Sequence, residues 1–491
     1  MKRLNKYIYL IIAFFLVSAC QVEENVFDFL TPANFYKDKD DAESALYAAY
    51  DILQAQDYYA SGIYTLGEAP SFGADIEGTD SEEVADYDWN EIMPSINSVW
   101  ETLYEGINRA NAVIGRVPEI SNMTQEDIDQ IVAEARFLRA MHYFNLVKLW
   151  GQVPYTDQEI TSVEDNDHNN DNTAPRVWDL IFTDLEFAES MLPETRGNST
   201  RGRATKFAAQ ALLTEVFLQR SGLAQNAPDP NHWSVSGVDE WAQAEAKASE
   251  IIESGTFELL EDYDDVFLIE NNKERVFEVQ FLPNIAGEGN YRAMFTNPSG
   301  ALDFARSFGL LRARPEFYAM WDPSDLRFER TFLTDFISSE TGEREFWTPE
   351  EQGTLGVPFT GKFRVSDGIE RDNGMNQIVY RYADILLMHA EAALESGNGD
   401  PYFGLNLVRQ RAGLEPLSGL SEAELREAIR EERIFELAYE GKAWFDYQRW
   451  GIVEEMGTAK GFQVDERHYL YPIPGDERLK NPKLNQVMPQ Y

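Results

Sequence analysis

The chain has 491 residues, of which 43% are hydrophobic and 13% aromatic; this is the composition of a folded globular protein rather than a disordered one. Its 85 Asp and Glu residues against 42 Lys and Arg give a formal net charge of -43, which argues against electrostatic recognition of nucleic acid or anionic lipid headgroups. The single cysteine, Cys20, excludes an intramolecular disulfide and a thiolate metal cluster.

The N-terminus is typical of an exported protein. A basic start (MKRLNK) precedes an apolar run at 7–17 that is too short to anchor the chain in a bilayer. The tetrapeptide VSAC, ending at Cys20, resembles a bacterial lipobox. That resemblance implies a signal peptide at 1–19 and a tether at 20–39 whose Cys20 thiol carries two acyl chains, enough for stable attachment to a membrane. The alternative is an ordinary secretory signal with an incidental cysteine.

Helices are predicted first at 40–56 and 97–117, and then at 130–154. The last is apolar on nearly every side, and such a helix must be packed on nearly every side. Its charged Glu134 and Arg139 are too costly for the middle of a bilayer. We therefore place it inside a helical array.

Further along, short helices alternate with turns in a pattern that predicts antiparallel helical pairs without a clean repeat. A polar connector at 156–173 precedes the first of them, and a strand is expected at 276–281. The remaining helices are predicted at 175–192, 206–220, 241–254, 378–394, 401–412, 421–439 and 443–451. Two stretches, 62–97 and 283–374, have no sustained period. Aperiodic stretches of this length are usually functional or mobile.

Several motifs stand in a fixed order along the chain. They are WExxYxxI at 100–107, EARFLRA at 134–140, ATKxAA at 204–209, RYADILL at 381–387, NxVRxRAG at 406–413, EERxxEL at 431–437 and YPIP at 471–474. Together with the lipobox they resemble the SusD/RagB-like outer-membrane nutrient-binding lipoproteins of Bacteroidetes. The acidic QVEE after Cys20 also resembles the surface-export signal of such lipoproteins.

This resemblance implies a mainly α fold, a tetratricopeptide-like scaffold of helical pairs with a loop-rich second part containing short strands. It implies that 40–282 and 375–491 form the scaffold and that 283–374 binds the ligand. It also implies a lipid-anchored outer-membrane protein, facing the cell exterior, that captures oligosaccharides or polysaccharides. The partner would be a SusC-like TonB-dependent transporter, over which the protein acts as a lid, with no enzymatic activity and no cofactor.

Sugars are bound by exposed aromatic planes and a few well-placed polar groups. Location and residue type select the candidates: Trp89 with Asn90 precedes the Trp100 helix, and Trp347 follows a charged loop. For Trp89 the alternative is a side chain that caps the core. The candidate ligand-binding residues are Trp89, Asn90, Tyr291, Arg292, Phe304 and Trp347.

The sequence gives little support for an enzyme or a metal site. A phosphate-loop spacing at 356–362 is followed by Phe363 instead of the Ser or Thr that holds magnesium. The histidines lack zinc-ligand spacing, and a calcium-like start at Asp165 has Arg176 where the final Glu should stand. We therefore predict no catalytic residue and no metal. An anchored glycoside hydrolase and a peptide-capturing family member remain the alternatives.

The weak clustering of basic residues favours a neutral glycan, with a β-glucan as one possibility. Four arginines that together could form an anion site weaken this preference. They are Arg292, Arg306, Arg312 and Arg314.

Overall fold

A computed structural model describes residues 35–78, 80–162, 165, 168–283, 289–304, 307–364 and 373–488. Cys20 and the predicted signal peptide lie outside these residues. The helices are α1 (Lys39–Asp51), α2 (Gly62–Glu68), α3 (Asp80–Ala85), α4 (Pro94–Arg116), α5 (Gln125–Trp150), α6 (Ala174–Met191), α7 (Lys206–Asn226), α8 (Trp241–Glu253), α9 (Asp265–Leu268), α10 (Arg292–Thr296), α11 (Pro315–Ala319), α12 (Phe328–Thr331), α13 (Tyr382–Ser396), α14 (Pro401–Arg411), α15 (Glu422–Glu436), α16 (Ala443–Trp450), α17 (Val453–Lys460) and α18 (Gly475–Lys480). Among the helices in these ranges, none is both long and apolar enough to span a bilayer.

The long helices form one continuous array. Each packs on the next in the order α4, α5, α6, α7, α8, α13 and α14, while α1 covers α4 and α5. Helix α5 is the most enclosed: from Ile131 to Trp150 every residue except Arg136 is buried. This confirms the prediction that it is packed on nearly all sides. The helix begins five residues earlier than predicted, because the Thr124 side chain caps the backbone N–H of Asp127.

Residues 283–374, here called the inserted segment, lie between α8 and α13 in the chain. Short strands lie within this segment, at its two ends and, in the case of β1, in the part of the chain before α4. They are β1 (Ala74–Ile76), β2 (Arg275–Val279), β3 (Leu311–Ala313), β4 (Phe332–Leu333), β5 (Asp335–Ile337), β6 (Arg344–Phe346), β7 (Phe359–Thr360) and β8 (Gln377–Arg381). Strands β2 and β8 pair antiparallel on either side of the inserted segment, so its two ends lie close together at the scaffold.

Two local predictions were wrong. The start of the helix predicted at 378–394 is strand β8, whose five residues are all buried; Ile378 and Val379 are β-branched and suit a strand. The stretch 62–97 was expected to be a long loop, yet it contains α2, α3 and β1. These elements are too short for a helical or strand period to stand out in the sequence.

Strand β1 belongs to the same sheet as the inserted segment. The strand order is β1-β3-β7-β4, and Ala74 of β1 lies opposite Ala313 of β3. Strands β5 and β6 form a separate hairpin in which Phe336 lies opposite Glu345. The two aperiodic stretches of the sequence therefore meet in one sheet.

A buried ion-pair network joins the inserted segment to the scaffold. The Arg327 guanidinium lies 2.6 Å from Glu432 and 2.9 Å from Glu436, two residues of α15. The Lys362 ammonium lies 2.9 Å from Glu440, just beyond the same helix. Since all of these groups are buried, each charge depends on its partner for compensation.

The capping box predicted at the start of α15 is present and supports a stability prediction. The Ser421 hydroxyl accepts from the Glu424 N–H, while the Glu424 carboxylate accepts from the Ser421 N–H. Replacing Ser421 by alanine is expected to lower the free energy of unfolding by about 1 kcal/mol, since one N–H loses its cap. Urea titration measures this change. The exposed Ser418 provides the control substitution, and equal effects of S421A and S418A would contradict the role of the cap.

Candidate glycan-binding cleft

A cleft of about 420 Å³ opens on the inserted segment. It is bounded by β3, the β5–β6 hairpin and β7, together with the loops that precede β3 and β7. Its lining combines aromatic rings with hydroxyl, carboxylate and guanidinium groups: Ser299, Gly300, Phe308, Arg312, Phe336, Ser338, Glu340, Glu345, Thr354, Leu355 and Phe359. Such a mixture suits a ligand with both apolar faces and hydroxyls.

The aromatic part of the cleft offers one exposed ring. Phe308 is 55% exposed, while Phe359 is buried and packs edge-on against Phe336 at a centroid distance of 6.4 Å. Gly309, next to Phe308, has φ of +63°, and a Cβ there would lie 2.9 Å from the Phe359 ring and 3.1 Å from the Ser299 nitrogen. The turn that presents Phe308 therefore requires glycine.

The polar part is centred on Arg312 of β3. Its guanidinium lies 3.2 Å from the Glu77 carboxylate and 5.2 Å from the centre of the Phe359 ring. Strand pairing places Arg312 between Asp75 of β1 and Phe359 of β7. Glu345, opposite Phe336 in the hairpin, is half-buried and adds a carboxylate. Donors and acceptors thus surround the exposed ring.

Trp89 was expected to project from a loop, but the structure buries it at 4% exposure. Its ring packs against Tyr87, Trp444 and Tyr471 with centroid distances of 5.3, 5.6 and 4.7 Å. The structure therefore agrees with the alternative for Trp89, in which its side chain caps the core. Neighbouring rings occupy the faces that a sugar would need.

Trp347 and Arg292 are also buried, contrary to expectation. The Trp347 ring meets Tyr318 edge-on at 4.9 Å, and its backbone N–H donates to the Thr334 carbonyl. Arg292 is 1% exposed. The charged loop before Trp347 predicted exposure, but the hairpin folds that tryptophan onto the aromatic cluster around Tyr318.

The other three candidates are accessible. Asn90 is exposed and its side chain accepts from the Ile92 N–H, while Tyr291 and Phe304 are partly exposed. None of the three lines the cleft. Phe304 lies four residues before Phe308 in the same loop.

Sequence reasoning overlooked Phe308 and Phe336, the aromatic residues that the cleft presents. A signal existed for Phe308: an aromatic side chain directly before a glycine in a stretch without periodicity. The sequence singles out Arg312 only as a member of the group of four arginines, of which Arg306 lies outside the described residues. In the structure Arg292 is buried away from the cleft, so Arg292 and Arg312 do not act together there.

Comparison with known proteins identifies the family. A family model described as "SusD family" matches residues 315–468, and one described as "Starch-binding associating with outer membrane" matches residues 39–218. The chain belongs to the SusD-like family. SusD-like protein P2 of Formosa agariphila is 28% identical over 517 residues, which cover 99% of each chain.

Solved structures of SusD-like proteins share the fold. A SusD homolog from Bacteroides thetaiotaomicron superposes with a TM-score of 0.81 at 23% identity, covering 94% of this chain and 98% of that one. A laminarin binding SusD-like protein gives a TM-score of 0.75 at 26% identity, covering 93% and 100%. These likenesses confirm the predicted mainly helical, tetratricopeptide-like fold of a SusD-like protein.

Proposed function

We propose that this SusD-like protein binds a glycan in the cleft around Phe308 and delivers it to a partner transporter in the outer membrane. The observation that carries the proposal is an exposed aromatic ring within a polar cleft of about 420 Å³. An apolar ring face supports one side of a sugar, while neighbouring polar groups bond its hydroxyls. Phe308 and Phe336 replace the buried Trp89, Trp347 and Arg292 as the proposed contacts.

The charge of the cleft favours a neutral glycan. Among the described residues, Glu340 and Glu345 line it, and Arg312, the one arginine of that lining, pairs with Glu77 at 3.2 Å. Among these described residues a sulfate or uronate would meet more carboxylates than cations, and like charges repel. Similarity to a laminarin binding SusD-like protein supports a β-glucan as the first ligand to test.

The transporter and the anchor are proposed from the family. The proposed partner is a SusC-like TonB-dependent transporter, and the proposed anchor is lipidation of Cys20. Both agree with the description of the matching family model, which associates the family with the outer membrane. Tyr291, Phe304 and Asn90 stay proposed as outer contacts for a longer chain of sugars, since they are accessible in the structure. No catalytic step is assigned to the protein.

Replacing Phe308 by alanine is expected to weaken binding of laminarin about tenfold, because the sugar loses its stacking surface. Calorimetry with the full-length chain measures the affinity. Phe403 on α14 is 43% exposed and lies outside the cleft lining, so F403A is the matched control and should bind as the unaltered protein does.

Unchanged affinity of F308A would remove this cleft from the proposal. Binding of peptides without binding of neutral glycans would establish the peptide-capturing alternative. New reducing ends after long incubation with glycan would establish a hydrolase.

A further inference from the structure

The guanidinium of Arg292 is buried and has no hydrogen-bond partner among the residues that the structure describes. Its guanidinium carbon lies 3.8 Å from the centre of the Tyr64 ring and 4.2 Å from that of Phe363. These rings stabilise the cation through their faces, but they accept none of its N–H groups. Among the described residues, its Nε, Nη1 and Nη2 atoms all lack an acceptor.

The Arg292 side chain lines a small cavity of about 40 Å³ beside strand β8, whose first three residues also line it. A cavity needs only about 10–15 Å³ of such volume to hold one water molecule, so this one admits a species of that size. The Tyr64 hydroxyl, another lining group, is buried and also has no hydrogen-bond partner in the described part of the chain. Unsatisfied donors from two elements thus line one space.

The charges around the cavity are unevenly paired. Of its three lining cations, Lys148 lies 3.0 Å from Glu215 and Lys442 lies 3.3 Å from Asp384. Its lining carboxylate, Glu440, is held by Arg381 at 2.7 Å and by Lys362 at 2.9 Å.

Arg292 forms no ion pair with any residue that the structure describes. Burial lowers the pKa of Arg292 to about 10, which leaves it charged at neutral pH. The Glu440 and Glu68 carboxylates act on it only from a distance.

We propose that this cavity binds a monovalent anion of halide size, chloride in the ordinary case, held by the guanidinium N–H groups of Arg292. A water molecule would satisfy N–H groups but leave the buried charge uncompensated, whereas an anion supplies both acceptor and counter-charge. The bound ion would fix Arg292, and with it the start of α10, against Tyr64 of α2. The site is independent of the glycan cleft and requires no ligand there.

Bromide provides a direct test. Crystals of the full-length chain grown in sodium bromide are expected to show an anomalous peak at hydrogen-bonding distance from the Arg292 guanidinium. A second measurement compares the Tm in sodium chloride with that in sodium gluconate at equal concentration, since gluconate is too large for the cavity. Chloride should raise Tm by about 2 °C through binding to the folded state.

The variant R292M should show no difference between the two salts. The exposed Arg344, which pairs with Asp335 at the surface, gives the control R344M, which should keep the difference. Two results together would overturn the proposal. One is a water molecule, without anomalous signal, that bridges Arg292 to Oε1 of Gln377, an atom with no hydrogen-bond partner among the described residues. The other is an equal Tm in both salts. If R292M does not fold, the presence or absence of the bromide peak beside Arg292 in crystals of the unaltered chain decides whether the proposal stands.

Discussion

Replacing Arg381 by methionine is expected to lower the free energy of unfolding by about 3–5 kcal/mol, the usual cost of removing one partner from a buried ion-pair network. The Arg381 guanidinium is 1% exposed and donates to Glu440 at 2.7 and 2.8 Å and to Glu274 at 2.9 Å. It also donates to the Glu436 carboxylate and carbonyl. Methionine fills much of the volume but leaves carboxylates buried with reduced compensation.

The pKa of Glu436 shows how much the network depends on its cations. Burial alone would raise this pKa, yet Arg411, Arg381 and Arg327 hold it well below its ordinary value. The stabilisation of such a carboxylate is present above its unfolded pKa of about 4.5 and is lost as pH falls through the lower folded value.

Urea titration at pH 7 measures the loss in R381M. The matched control is R344M, because Arg344 forms an exposed pair with Asp335 and such pairs contribute about 0–1 kcal/mol. R381K, which keeps the charge but not the planar fork, should fall between R381M and the unaltered chain. Equal stabilities of R381M and R344M would show that the network compensates without Arg381.

Replacing Glu68 by glutamine is expected to stabilise the protein at pH 8 and to leave it nearly unchanged at pH 4.5. The Glu68 carboxyl is 2% exposed and accepts from the Gly441 N–H at 2.8 Å and from the Ser71 hydroxyl at 3.0 Å. Burial raises its pKa to about 7 from an ordinary value of 4.5. Glutamine keeps the shape and carries no charge at any pH.

The sign of this pH dependence follows from the protons that the folded and unfolded states bind at Glu68. Between about pH 4.5 and 7 the folded state holds a proton on Glu68 that the unfolded state has released, so its contribution to stability falls as pH rises. A shift from 4.5 to about 7, at 1.36 kcal/mol for each pKa unit, corresponds to about 3 kcal/mol by pH 8.

The measurement is the difference in unfolding free energy between E68Q and the unaltered chain at pH 4.5 and at pH 8. Lys460, whose pKa burial lowers to about 7, titrates in both proteins, so its contribution largely cancels in the difference. The matched control is E316Q, because Glu316 is exposed. A difference between E68Q and the unaltered chain that is constant from pH 4.5 to pH 8 would contradict the raised pKa.

The helical periodicity of the sequence predicted most of the scaffold, because the buried residues of a long helix recur every three to four positions. Helix α5 is the clearest case, since its apolar circumference required neighbours on all sides. Strand β8 was missed because five buried residues directly before a buried helix carry no period of their own. The buried pairs were beyond prediction: Arg327 and Glu432 are 105 residues apart, and no local pattern joins them.

The candidate cleft lies in a segment that the sequence proposes for ligand binding, but the side chains that line it were not predicted. The sequence placed ligand chemistry in 62–97 and 283–374, and β1 and β3 do bring these stretches together. Exposure of single aromatic residues was not predictable, because it depends on distant neighbours: Trp444 and Tyr471 cover Trp89, and Tyr318 covers Trp347. Phe308 stays accessible in the loop before Gly309.

The sheet that supports the cleft also determines when in folding the cleft can form. Ala74 pairs with Ala313, and closing a loop of that length is entropically costly and slow compared with pairing adjacent helices. The helices from α4 to α8 can assemble from local contacts while β7, at Phe359–Thr360, has yet to join. We therefore expect glycan binding to appear after most of the helical signal during refolding, and chains that end before β7 to be helical without binding.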